Sequence, residues 1–173
     1  MACSITINGR AFPCKDKIGG IKKIWVAALD DVSWNAVSGG EISDASAAVT
    51  FRSFELTKNS GSFQQTVTAS VENGTVFFSQ VAEITLPNLT AGDNDELYNL
   101  MKSRLSIIVQ DNNDNYLIMG HTTGAEATGG TIGTGTAKGD MNGYQIQFTA
   151  EEAIPAPFLT TTSGGNITFT AGS

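Results

Sequence analysis

From position 62 to position 72 apolar and polar residues alternate: Phe63, Gln65, Val67, Ala69 and Val71 on one parity, Ser62, Gln64, Thr66, Thr68, Ser70 and Glu72 on the other. Successive side chains of a strand point to opposite faces, so this period of two predicts a strand with two different faces. Asn73 and Gly74 follow and supply the positive-φ residues of a two-residue type I′ turn. The chain is therefore expected to reverse into a second long strand from Thr75 to Leu86. In it Val76, Phe78, Ala82, Ile84 and Leu86 share a face that reads as core, opposite a mixed face of Thr75, Phe77, Ser79, Val81, Glu83 and Thr85.

The same reading places further strands along the chain. Residues 21 to 29 form a largely apolar run that Asp30 and Asp31 end, and residues 47 to 57 alternate with a slip of register suggestive of a bulge. Leu105 to Gln110 and Asn115 to Gly120 read as a hairpin around Asp111, Asn112, Asn113 and Asp114. Tyr144, Ile146 and Phe148 give a strand an apolar face, and a last strand lies near Asn166 to Thr170, beyond the breaks at Pro155 and Pro157. Asp93 and Glu96 have the spacing of a capping box, and Leu97, Leu100 and Met101 follow at helical intervals, predicting one short helix at about 93–103. Residues 31 to 46 read as a connection. Residues 121 to 142, rich in Gly, Thr and Ala, are expected to be a loop too long for a compact domain unless neighbouring subunits organise it. The expected fold is mainly β, an antiparallel sandwich or barrel with one flanking helix, in a single domain over residues 1–173 with an N-terminal arm at 1–20.

Charged residues make up only 16% of the chain, against about a quarter in an ordinary soluble domain, so much of the surface is neutral and polar and suited to being covered. The net charge of −7 and scattered Lys and Arg argue against nucleic-acid binding but are compatible with a surface that DNA slides past. Cys3 and Cys14 match no zinc spacing and read as thiols. The start of the chain lacks the pattern of a signal peptide, and no segment approaches a membrane span, so production in the cytoplasm is expected.

Motifs for catalysis fail one by one. His121 is the sole histidine and no GxSxG elbow accompanies it. Gly130 to Gly135 has the first spacing of a phosphate loop, but Thr136 stands where Lys is needed. Asp111 to Asn115 begins like a calcium loop, yet Tyr116 and Thr122 occupy the Gly and Glu positions. Glu72, Glu83, Glu126, Glu151 and Glu152 have no spacing that pairs them as acid and base. The expectation is a protein without an enzymatic task, a metal or a cofactor.

The run from Pro13 through Lys15, Asp16, Gly19 and Gly20 to Trp25, the Asn73–Gly74 hairpin, the single helix, and Gly133 to Tyr144 running into Phe148 and Glu151 resemble a bacteriophage tail tube (major tail) protein. The resemblance implies a virion protein, assembled in the host cytoplasm, that forms hexameric rings stacked into a tube for DNA passage during ejection. Its implied partners are copies of itself and sheath, tape-measure and baseplate proteins, with no membrane. Ser62, Gln64, Thr66, Thr68, Ser70, Glu72 and Glu83 would face the lumen, and Lys15, Asp16, Trp34, Gly133, Gly135, Lys138 and Asp140 would lie between subunits. Lys58, Asn59, Ser60 and Gly61 make a short loop where the family often uses a long one to stack rings. Other readings are a tail terminator, baseplate hub or capsid decoration protein, or a carbohydrate-binding sandwich whose groove Trp25, Trp34, Tyr98, Tyr116 and Tyr144 would line.

Overall fold

The computed structural model describes residues 9–10, 15–160 and 165–172; Cys3 and Cys14 lie outside the described residues. In chain order the elements are β1 (Ile21–Ala28), a 3-10 turn (Leu29–Asp31), β2 (Glu41–Ile42), β3 (Val49–Glu55), β4 (Gly61–Ser70), β5 (Thr75–Pro87) and α1 (Ala91–Lys102). Then follow β6 (Leu105–Asp111), β7 (Tyr116–Met119), β8 (Glu126–Gly133), β9 (Gly143–Glu152), β10 (Phe158–Leu159) and β11 (Ile167–Thr170). Among the described residues the fold is mainly β, with two sheets and one α-helix. A seven-stranded sheet has the order β11-β3-β1-β6-β7-β10-β2 and a four-stranded sheet the order β4-β5-β9-β8. Pairing is antiparallel except for β10 with β2 and β11 with β3, which are parallel.

The two sheets meet across one core. Ile24 and Val26 of β1 and Leu105, Ile107 and Val109 of β6 pack with Ala82 and Ile84 of β5 and Tyr144, Ile146 and Phe148 of β9. A second core lies on the other face of the larger sheet, where Trp25, Phe51, Ile108 and Ile118 are covered by Val32, Trp34, Ile42 and Ala45 of the connection. Residues 105 to 110 of β6 are therefore buried on both faces, which explains the apolar run from Ile107 to Val109. The same arrangement removes the expected bulge in β3. Val49, Phe51 and Ser53 face the second core while Phe54 and Leu56 pack against the first, and β3 runs in even register with β1. The register shift falls instead in β1, between Ile21 and Lys23.

Other differences from expectation have local causes. The helix begins two residues early because Thr90, not Asp93, is its N-cap: the Thr90 side chain accepts a hydrogen bond from the Asp93 N–H at 3.1 Å. Residues 121 to 142 are not one loop, since β8 occupies the middle of them. The β4–β5 reversal is a four-residue turn from Val71 to Gly74, in which Gly74 alone has positive φ and Ser70 Oγ accepts from the Asn73 N–H.

Polar side chains pin the chain where it crosses between sheets. Gln80, fully buried, accepts from Gly120 N at 3.2 Å, and Gln65 accepts from Ala156 N at 2.8 Å. Glu152, 2% exposed, accepts from the N–H groups of Thr122 and Thr123, both at 2.8 Å, and from the Thr123 hydroxyl. The connections from β7 to β8 and from β9 to β10 are thus tied to the four-stranded sheet. At the opposite side, the β6–β7 turn clasps the arm: Asn113 bonds both N–H and C=O of Ile18, and Asn112 donates to Gly19 O. Asp111 shapes that turn by accepting from the backbone N–H groups of Asn113 and Asn115 and from both side-chain amides, so its oxygens are occupied by N–H donors.

Glu152→Ala takes the acceptor from two part-buried N–H groups and a hydroxyl and should lower unfolding free energy by about 1–3 kcal/mol in urea titrations. Burial raises the Asp111 carboxyl, but the hydrogen bonds from Asn115 and Asn113 outweigh it and leave it below the usual range. Its stabilising effect is complete above the unfolded-state value and is lost as pH falls through the lower folded one. The stability gap between wild type and Asp111→Asn should therefore be widest near neutrality and close below about pH 3.9.

Candidate functional site: the outward face of the four-stranded sheet

The four-stranded sheet buries one face and exposes the other. Register across it aligns Ser62 with Glu83 and Gln147, Gln64 with Val81 and Thr149, and Thr66 with Ser79 and Glu151. On β8, Thr131 lies opposite Gln145, Glu126 lies opposite Thr149, and the Thr128 hydroxyl meets that of Thr149 at 2.8 Å. The result is a field of hydroxyls and amides with Glu83, Glu126 and Glu151 set among it, and Phe77 and Val81 half-buried between them. None of the four strands carries Lys or Arg. The larger sheet, by contrast, holds Lys22, Lys23 and Arg52.

Of the expected lumen residues, Ser62, Gln64, Thr66, Thr68 and Glu83 are exposed on this face. Ser70 ends β4 half-buried, and Glu72 belongs to the turn, outside the strand, because the hairpin closes at the Ser70–Thr75 pair. Gln145, Gln147 and Thr149 join the face unforeseen, although the alternation of β9 with Tyr144, Ile146 and Phe148 announces them. Thr128 and Thr131 also join it, hidden in sequence by the glycine-rich composition of β8.

The expected subunit contacts are dispersed. Lys15, Asp16 and Lys138 are exposed. Trp34 is half-buried: it donates to Ser106 Oγ at 3.2 Å and packs on Phe51, so within the chain it covers the second core. Gly133 ends β8 opposite Gly143. Gly135 and Asp140 shape the β8–β9 turn; Asp140 accepts from the N–H groups of Ala137 and Thr136, which hold its carboxyl below the usual range.

The aromatic groove is not assembled. Trp25 and Tyr144 are buried, Tyr116 packs on Trp25, and only Tyr98 of the five is exposed. No two glutamates of the outward face stand directly opposite each other, and Glu152 is committed to the 122–123 backbone. Among the described residues no group of three His, Cys, Asp or Glu is placed to hold a metal, and no helix is long and apolar enough to cross a membrane.

Among the described residues, both outer strands of this sheet, β4 and β8, have one edge unpaired. An open edge is a template for another strand, and β8 has neither the charges nor the proline that commonly block one, apart from Glu126 at its start. Compared with known proteins, the chain matches no protein family, no curated protein and no solved structure.

The close approach of β9 to β5 depends on Gly143, where a Cβ would run into the Leu86 carbonyl and Pro87 Cα. Gly143→Ala should cost about 2 kcal/mol or more in thermal or urea unfolding, because the collision is with backbone. Gly133→Ala, whose Cβ would meet nothing within 4 Å, should stay within about 0.5 kcal/mol of wild type.

Proposed function

We propose that this chain is a structural subunit of a phage tail tube, without an enzymatic task, which closes its four-stranded sheets into rings whose lumen is the cation-free face. The observation that carries the reading is a whole sheet without Lys or Arg, exposed on one side and, among the described residues, open at both edges.

Three features support ring closure. First, β4 and β8 run in opposite directions, so β4 of one copy laid along β8 of the next continues the antiparallel alternation. Second, β8 is displaced along the strand direction relative to β4 by about four residues. At ~3.4 Å per residue and ~4.8 Å between strands, that stagger sets a strand tilt of roughly 35–40°, the range in which barrels close. Third, six such sheets at this tilt give a barrel about 45 Å between opposite backbones, which leaves room for duplex DNA once side chains are in place.

The electrostatics suit passage without binding. Phosphate affinity needs Lys or Arg to displace counterions, and the polar groups of this face are hydroxyls, amides and carboxylates. Six copies of a chain of net charge −7 would carry about −42 in each ring, adding repulsion.

Electron microscopy of concentrated purified protein should show rings or tubes with a central channel; a monodisperse monomer at high concentration defeats the reading. Gln64→Lys with Thr66→Lys should keep the tubes and make them retain DNA in a salt-dependent way. Wild-type tubes that hold DNA equally well would contradict the role given to this face.

A further inference from the structure

The side of the four-stranded sheet that faces the core has an exposed apolar margin at each of its two edges. At the β8 edge Ile132 lies opposite the buried Tyr144, on the inward parity, and is 55% exposed. Beside it runs α1, with Leu97 buried and Tyr98 and Met101, three apart on one stripe, 55% and 38% exposed. These four side chains line an open groove of about 300 Å³ between helix and strand, to which Asn94 and Asp95 add polar lining. Lys102 covers one face of the Tyr98 ring, which leaves the other to an incoming side chain. At the β4 edge Phe63 lies opposite the buried Ala82 and shares its inward parity with Val67; Phe63 is half-buried and Val67 59% exposed.

We propose that the groove between α1 and β8 is a strand-accepting site whose occupant is β4 of a second copy of the chain. The occupant rests on the ring reading above; the groove belongs to the single copy.

Register and side-chain parity favour this occupant. With β4 antiparallel to β8 and the two strands centred on each other, Phe63 stands opposite Ile132 and Gln65 opposite Gly130. All four are inward positions, so one alignment satisfies both the backbone ladder and the apolar contact. A slip of one residue would set Phe63 beside the outward Thr131. Val67 falls two pairs further toward the start of β8. The helix runs the same way, because the chain leaving it pairs Leu105 with Ala125, just before β8. Met101, the groove residue nearest that end of the helix, is therefore set beneath Val67. β4 carries no charged side chain, so Asp95 meets no like charge. Strand addition of this kind closes the β8 edge and covers the helix face together, adding apolar burial to the hydrogen bonds of the ladder.

The test uses the full chain. Val67→Lys and Met101→Glu each put a charge on a residue exposed in the single copy. Thermal unfolding of either variant, dilute, should stay close to wild type, while the concentration needed for ring formation rises at least about tenfold. Combined in one chain, the two substitutions face each other across every contact between copies, and the concentration needed should fall back by about fivefold or more, most strongly at low salt. The two residues lie on different elements, so a folding defect in one variant leaves the other decisive. Single variants that form rings at an unchanged concentration, rings that form normally but no longer stack, or a combined variant no better than the singles would overturn the groove and leave the tube reading standing. Wild-type protein that forms no rings at all would overturn both.

Discussion

The packing of Ile24, Ile107 and Val109 against Ile84, Ile146 and Phe148 is the contact on which the rest of the molecule depends. It joins two sheets of unequal kind. The larger is buried on both faces around β6 and draws the hydrophobic effect from each side. The smaller gives only one face to the core, and it is released on the other to carry whatever chemistry the surface requires. Rigid placement of the outward face comes from this division, because the parity of every strand is fixed by the side chains it buries.

A second constraint is polar and local. Moving a chain between sheets leaves backbone groups that neither ladder can satisfy, and an unpaired buried group is costly. Gln65, Gln80 and Glu152 meet that need from the strands, and Asp111, Asn112 and Asn113 do so where the arm enters. These six residues look like surface residues in a list of types, yet they fix the positions of the crossovers and the arm.

Much of the fold was legible in sequence wherever one face of an element is dry and the other wet. The alternation at 62–70 and 75–86 and the single helix have that property, while the β6–β7 hairpin was legible from its short apolar runs on either side of Asp111–Asp114. Legibility failed where the signal was not binary. Gln80 sits on the buried parity of β5 and breaks its apolar run, because its value lies in a hydrogen bond to Gly120, 40 residues away in sequence. The strand β8 is almost pure Gly, Thr and Ala; its extended state comes from pairing with β9, a long-range contact that overrides its loop-like composition. The N-cap was misplaced because Thr90 and Asp93 both satisfy capping patterns, and only the backbone geometry decides between them. The outward face was half visible: β4 declared it, β9 implied it, and β8 concealed it.

The outward face is specified by residue class and not by residue identity. Ser, Thr and Gln exchange there with little effect on polarity or charge, whereas the inward parity answers to volume and shape. Under selection for such a surface a lineage is free to change most letters of the sheet while keeping two rules, strict alternation and the exclusion of lysine and arginine. Kinship among chains built this way is carried by pattern, and it outlasts the similarity of their spelling.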